Sequence, residues 1–222
     1  MPNILRELIL KNRSYRRFYE TDHVELETLE KLVDLARNSA SAANLQPLKY
    51  VLSNNAQDNA LIFPHLSWAA YLKEWPGPGE GERPAAYIII VGDKRISNSF
   101  GCDHGIAAQS IMLGATEKGL GGCIIGAIRR QDLQHALSLP QYYEILLALA
   151  IGRPRETVVL ETVRPDNDIR YWRDDNDAHH VPKRRLDDII IPTSKQEADN
   201  VCKRLKKFAG ISGYGFMSEI LA

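Results

Sequence analysis

A short, uninterrupted apolar segment at residues 85–91, AAYIIIV, constrains the fold of this chain more than any other stretch. It is rich in β-branched residues and bounded by Pro84 and Gly92, a pattern typical of a strand buried on both faces. Residues 145–151, ILLALAI, repeat the pattern, and helical periodicity lies between the two. The sequence therefore predicts an α/β or α+β sandwich with helices covering both faces of a central sheet.

Apolar residues at helical spacing predict the helices of this sandwich. They fall at residues 4–12, 26–36, 56–75 with an interruption at Pro64, 102–118, 132–140 and 194–208. Further strands are expected at 49–52 and 123–128, and a last apolar run lies at 158–160. We expect the first helix to end near Asn12, the second to be capped by Asp22 or His23 with Leu26 at the start of its buried stripe, and the fourth to be buried on nearly all sides. The turn-rich segment WPGPGEGERP, residues 75–84, predicts a mobile surface loop.

Composition narrows the classes of function. The 222 residues suffice for one domain, and no apolar run approaches the roughly 20 residues of a membrane helix. The 28 basic and 28 acidic residues cancel, so no net charge would attract nucleic acid or an anionic membrane. The N-terminus lacks a signal-peptide pattern, which favours a cytoplasmic protein.

Cysteines and histidines give no sign of a metal site. Cys102, Cys123 and Cys202 are far apart and outside any CxxC pattern, which indicates buried free thiols. The neighbouring His179 and His180 stand in a polar segment without ligand spacing, so we expect no metal there. No Ser/His/Asp or Cys/His arrangement suggests nucleophilic catalysis.

The segment NRSYRRF, residues 12–18, concentrates positive charge immediately after the first helix. Guanidinium groups bind phosphate oxygens bidentately, and such charge-assisted bonds are about twice as strong as neutral ones. The segment is thus either a phosphate site or a solvated basic patch at a helix end.

Glycines at residues 114–122, GATEKGLGG, invite a nucleotide-binding interpretation that the pattern does not support. A P-loop needs Lys and Ser or Thr after its last Gly, and a Rossmann motif needs a strand before the glycines. Here a helix precedes them and a strand follows. The turn either lets backbone N–H groups approach a flat ligand or simply caps the helix.

Four stretches together resemble the nitroreductase family of FMN-dependent oxidoreductases. They are NRSYRRF at 12–18, SASAANLQP at 39–47, AAQSIMLGATEKGLGG at 107–122 and LAIGRP at 149–154, in the family's order and spacing over roughly residues 5–190. The resemblance implies an α+β sandwich with a central, mostly antiparallel sheet, and a homodimer with two FMN sites at the subunit interface.

The resemblance also implies which residues hold FMN. Arg13, Ser14 and Arg16 match the family's phosphate-binding element, whereas Asn12 departs from its first basic position and Arg17 is left as a solvated bystander. The loop that reaches the cofactor from the other subunit supplies Ser39, Ser41 and Asn44, although Ala40 and Leu48 replace the family's usual proline and tryptophan. The turn that faces the flavin ring consists of Gly119, Leu120, Gly121 and Gly122. The basic residues that complete the phosphate site are supplied by Lys183, Arg184 and Arg185.

Residues 71–84 lie where family members vary in substrate specificity, so Tyr71 and Trp75 are substrate-facing candidates, whereas Trp68 is expected to cover the core. We expect hydride transfer from NADH or NADPH to FMN and on to a quinone, nitroaromatic or similar planar acceptor. A weaker resemblance of 71–84 and 171–186 to the flavin-cleaving dimethylbenzimidazole synthase leaves oxygen-dependent flavin fragmentation open. A flavin-binding protein with little turnover is a third hypothesis.

The domain organisation expected from this resemblance is a single FMN-binding domain over residues 1–191. Residues 192–222 would form a C-terminal helical extension, and its glycine-interrupted end, ISGYGFMSEILA, is typical of a poorly ordered terminus.

Overall fold

The structure, a computed structural model, describes residues 3–164, 166 and 168–191. These residues divide into two compact units, the first covering 3–159 and 172–179 and the second the remainder. The predicted helix at 194–208, the C-terminal end and Cys202 lie outside the described residues. Among those described, no helix is both long and apolar enough to cross a membrane.

A four-stranded antiparallel sheet forms the centre of the first unit, as predicted. Its strands are β1 (Leu48–Ser53), β2 (Ala86–Asp93), β3 (Gly121–Ile125) and β4 (Tyr143–Gly152), in the order β1-β2-β4-β3. Every residue of β2 is buried, because alternate side chains enter cores on opposite faces. Ile88 and Ile90 pack in one core, and Tyr87 and Ile89 in the other.

Helices cover both faces of this sheet and complete the α+β sandwich. They are α1 (Ile4–Lys11), α2 (Leu26–Arg37), α3 (Ala56–Ile62), α4 (Asp103–Glu117) and α5 (Arg130–Ala136). Leu29 and Leu32 of α2 and Ile111 of α4 fill the core on one face, while Ile62 and Leu133 fill the core on the other. The first helix ends at the Asn12 cap, as expected.

The remaining strands are short and belong to a second, three-stranded sheet. They are β5 (Val158–Thr162), β6 (Trp172–Arg173) and β7 (His179–Lys183), followed by the short helix α6 (Leu186–Ile189). In the second unit, the N–H of Val163 donates to the Lys183 carbonyl at 2.9 Å and His180 pairs with Glu161.

Several sequence predictions about the helices are wrong. The interruption expected at Pro64 is confirmed, since α3 ends at Ile62 and a 3₁₀ turn follows over Phe63–His65. The helical continuation expected beyond it, to residue 75, is wrong, and Ala69 there adopts a left-handed φ of 40°. Glu25, not Asp22 or His23, is the N-cap of α2, and Leu26 is exposed. In α4, Ile106 is exposed, so this helix is not buried on all sides in a single chain.

Candidate cofactor site

The basic segment that follows α1 lies along the edge of the central sheet and is joined to it by single-residue bridges. Ser14 forms a parallel bridge with Gly122 of β3, and the Tyr15 N–H donates to the Gly122 carbonyl at 2.9 Å. Farther along, Phe18 bridges to Pro154, just beyond β4. Three of the stretches that the sequence singled out, at 12–18, 107–122 and 149–154, therefore meet at one end of the sheet.

Arg13 carries a partly desolvated positive charge at this meeting point. Its Nη2 donates to the Ile9 carbonyl at 2.5 Å, while its Nε is buried without a hydrogen-bond partner. Burial lowers the pKa of the guanidinium, although it stays charged at any working pH. In the described part of the chain, no carboxylate forms an ion pair with Arg13. A half-buried cation without an acidic partner among the described residues is a favourable place for a ligand anion.

Arg16 is held in place from two sides by groups that are distant in sequence. Its backbone N–H donates to the carboxylate of Glu156, whose side chain is 2% exposed. Its Nη1 lies 3.1 Å from Nε2 of the buried His179 and 3.3 Å from the Ser14 carbonyl. Neither Glu156 nor His179 was identified from the sequence as part of this site, because each lies at least 140 residues away.

The prediction that Arg17 is a solvated bystander is wrong. Its side chain is 20% exposed and pairs with Asp177 and, at 3.2 Å, with Glu82. The guanidinium also lies 5.9 Å from the centroid of the Trp75 ring. Arg17 thus fastens the basic segment to the loop 75–84 and to the turn before β7.

Trp75 and Tyr71, the substrate-facing candidates, have different surroundings. The Trp75 ring lies 4.6 Å from the guanidinium of Arg173, which itself pairs with Glu156 at 2.9 Å. Trp75 therefore covers an ion-pair network, whereas Tyr71 is 49% exposed. Trp68 packs on the Phe63 ring in the core, as expected.

The loop that follows α2 is folded around one buried carboxylate. Asp103, which is 5% exposed, accepts hydrogen bonds from the Ser41 hydroxyl at 2.6 Å and from the Ala42 N–H at 3.0 Å. The Ser39 hydroxyl donates to the Leu35 carbonyl at 2.9 Å, which is the local helix-end role that serine often takes. Asn44 is exposed in the left-handed conformation, with φ of 54°.

A cleft of about 360 Å³ lies against this loop, and its lining includes Arg37, Ser39, Ser41, Lys49 and Asp103. Among the described residues, no hydrogen bond joins the loop to the basic segment of the same chain. The structure of one chain brings Ser14 of the basic segment to Gly122 of the glycine turn, whereas no hydrogen bond among the described residues links the segment to Ser39, Ser41 or Asn44.

The glycine turn serves the backbone in two ways. Gly119 has a φ of 73° and donates to the Thr116 carbonyl, while Leu120 donates to the Ala115 carbonyl, so α4 ends in a Schellman motif. Gly121 and Gly122 lie within β3, where a side chain at 122 would collide with the carbonyl oxygen of Ala150. These glycines allow β3 to approach β4 closely while its other edge receives the Ser14 bridge.

Cysteine burial differs from the prediction at one position. Cys123 is 6% exposed, and burial raises the pKa of its thiol while the nearby Arg16 charge opposes this rise. Cys102 was expected to be buried but is exposed, because it stands at the solvent-facing start of α4. Both are free thiols, and the described residues contain no group of three side chains suited to hold a metal ion.

The basic residues near the end of the described chain belong to the second unit. Lys183 is the last residue of β7, and Arg185 is the N-cap of α6. All three side chains, those of Lys183, Arg184 and Arg185, are exposed, and their part in a phosphate site stays a prediction.

Comparison with known proteins agrees with this arrangement. The model of the nitroreductase family matches residues 9–153, more than half of the chain. An FMN-dependent nitroreductase from Clostridium difficile is 23% identical, with a TM-score of 0.53 over 67% of this chain and 87% of its own. A protein provisionally named NADH dehydrogenase/NAD(P)H nitroreductase from Bacteroides thetaiotaomicron is 22% identical, with a TM-score of 0.57 over 71% and 90%. A nitroreductase-like protein from Streptococcus mutans, 14% identical, reaches 0.60 over 70% and 91%.

Proposed function

Because this chain belongs to the nitroreductase family, we propose that it is an FMN-dependent oxidoreductase that takes hydride from NADH or NADPH. The electrons would pass to a quinone, a nitroaromatic or a similar planar acceptor. The observation that carries the proposal is the half-buried Arg13 guanidinium, which has an unpaired Nε beside the bridge between Ser14 and Gly122.

The residues at this end of the sheet suit a phosphate group. Arg13 and Arg16 would donate from their guanidinium groups and Ser14 from its exposed hydroxyl, each forming a charge-assisted bond. Bound FMN would supply the redox chemistry by accepting a hydride and passing two electrons onward. The chain's own contribution is to bind and orient the cofactor rather than to supply an acid and base pair.

We further propose that the active protein is a cytoplasmic homodimer whose residues 1–191 form the FMN-binding domain. Ser39, Ser41 and Asn44 would then contact the flavin of the partner subunit, which agrees with the absence of a described hydrogen bond between this loop and the basic segment of its own chain. The turn over residues 119–122 would face the flavin ring, and one or more of Lys183, Arg184 and Arg185 would complete the phosphate site.

Visible absorption of the purified protein tests the proposal. We expect flavin absorbance that is bleached by anaerobic NADH or NADPH and restored by a quinone, with full recovery of FMN. A protein without flavin absorbance, even after FMN is added, would refute the proposal. Loss of FMN during reoxidation in air would favour flavin fragmentation, and absence of turnover with every acceptor would favour a binding protein.

The double variant Arg13→Ala with Arg16→Ala tests the phosphate site separately. Each hydrogen bond to a charged group contributes about 1.5–3 kcal/mol, so each lost guanidinium should weaken FMN binding by about tenfold or more. We expect this variant to be colourless after gel filtration. Arg129→Ala, which removes an exposed arginine before α5, should retain its flavin. Stoichiometric FMN in the double variant would contradict the assignment.

A further inference from the structure

A second pocket, of about 350 Å³, opens in the first unit between the segment before α2, the start of α3 and the start of β2. Its lining includes Glu20, Asn54, Ala60, Phe63, Arg83 and Tyr87. None of its lining residues belongs to the candidate cofactor site. Its volume lies within the range of pockets that bind small molecules, about 300–1,000 Å³.

Tyr87 gives the wall of this pocket a hydrogen-bond donor that the protein does not use. The residue is 1% exposed, and its hydroxyl is buried without a hydrogen-bond partner. Buried hydroxyl groups are nearly always paired in folded proteins. Burial raises the pKa of the phenol, which therefore stays protonated and keeps its donor at neutral pH. The hydroxyl also senses the charges of Arg83 and Glu20, both of which line the pocket.

Two of the polar residues that line the pocket, Asn59 and Glu20, already have hydrogen-bond partners. The Asn59 amide accepts from the Ser53 hydroxyl at 2.7 Å and donates to the Ala85 carbonyl at 2.9 Å. Glu20 accepts from the N–H groups of Gly81 and Arg83, at 2.5 and 3.2 Å.

Arg83 supplies a positive charge at the same pocket. Its guanidinium lies 4.6 Å from the centroid of the Phe63 ring, which fixes its direction through a cation–π contact. No carboxylate in the described ranges forms an ion pair with this side chain. The Glu20 carboxylate that also lines the pocket repels anions, and it repels a doubly charged one such as phosphate about twice as strongly as a singly charged one. Ala60 and Pro84 provide an apolar wall.

We propose that this pocket binds a small aromatic monocarboxylate. The carboxylate would accept hydrogen bonds from the Arg83 guanidinium and the Tyr87 hydroxyl, and the ring would lie against Ala60, Phe63 and Pro84. A single negative charge matches one guanidinium, and a flat apolar body matches the wall. This site is separate from the cofactor site and does not depend on bound flavin.

Sodium benzoate is the probe, and its binding to the full chain is followed by saturation-transfer NMR and titration calorimetry. We expect benzoate to bind, and benzamide and inorganic phosphate to bind far less. Tyr87→Phe and Arg83→Gln should each weaken benzoate binding by about tenfold or more, the ratio for one hydrogen bond to a charged group. Tyr142→Phe, which alters an exposed tyrosine elsewhere, should bind benzoate like the parent.

The unfolding temperature shows whether the Tyr87 hydroxyl stabilises the fold or is free to donate to a ligand. Tyr87→Phe should unfold at the parent's temperature or higher, because it removes an unpaired buried hydroxyl without changing the ring. Absence of benzoate binding, or binding that survives both substitutions, would overturn the proposal. A benzoate-induced change in the flavin spectrum that persists in both variants would place the anion at the cofactor instead. That result would also overturn the proposal.

Discussion

Glu156 is the buried carboxylate on which the candidate site depends most. It is 2% exposed, accepts from the backbone N–H groups of Arg16 and Arg17, and pairs with Arg173, whose side chain is 11% exposed. Glu156→Gln keeps the shape of the side chain but removes the charge opposite Arg173. Breaking one partner of a buried ion pair costs about 3–5 kcal/mol, since the other charge stays buried.

Arg173 has a second carboxylate within reach, which sets the size of the effect. Asp177 lies 3.4 Å from its Nη1 and is half exposed, so the guanidinium keeps part of its compensation. We therefore expect the lower end of the range, about 3 kcal/mol. For a protein of this length each kcal/mol lowers Tm by about 2–4 °C, so the fall should be roughly 6–12 °C.

Thermal unfolding of Glu156→Gln, with and without FMN, measures this fall. Glu27→Gln is the matched control, because Glu27 forms an exposed ion pair with Lys31 at 2.7 Å; its Tm should equal that of the parent. Adding Arg173→Met to Glu156→Gln should raise Tm again, since removing both partners costs less than removing one. A Glu156→Gln variant as stable as Glu27→Gln, or a double variant less stable than the single one, would refute this reasoning.

Two further predictions concern the sheet that carries the site. Gly122→Ala should lower the free energy of unfolding by about 1–3 kcal/mol and weaken FMN binding, because the new methyl group would collide with the Ala150 carbonyl. Gly126→Ala is the control and should have neither effect, because its methyl group would be 3.8 Å from its nearest neighbour. Arg95 lowers the pKa of Asp93 from 3.8 to about 2, so this pair stabilises the fold above about pH 4 and the contribution is lost as pH falls toward 2. Asp93→Asn should therefore flatten acid unfolding between pH 4 and 2, and an unchanged pH profile in urea titrations would contradict the assignment.

Much of the fold could be predicted because its central strands have a simple physical signature. A strand segment buried on both faces must be apolar, and residues 86–91 of β2 and 148–151 of β4 are both apolar and buried. The failed helical prediction over 66–75 shows the limit of periodicity. Trp68, Tyr71 and Trp75 have helical spacing, yet Trp68 packs on Phe63 while Trp75 packs on Arg173. Tertiary contacts, not local spacing, determine this segment.

The sequence could predict only those parts of the candidate site whose residues are neighbours along the chain. Arg13, Ser14 and Arg16 could be proposed as a phosphate site because three hydrogen-bond donors fall within four positions. Glu156 and His179 stand far along the chain and meet Arg16 only in the folded structure. A glutamate or histidine in a polar stretch carries no local sign of such a partner, so the basic segment could be predicted and the groups that fix it could not.

Helix α1 shows that helical periodicity cannot distinguish burial within a single chain from burial in an assembly. Its apolar residues recur at helical spacing, yet Ile4, Leu5 and Ile9 are 64, 59 and 44% exposed in the single chain. Ile106 of α4, a helix that α1 contacts, is 38% exposed. Exposed apolar residues that lie close together often mark an interface, and the proposed dimer would cover these residues. On this view the sequence pattern records burial in the assembled protein, which explains why α1 and α4 are more exposed in one chain than their periodicity predicts.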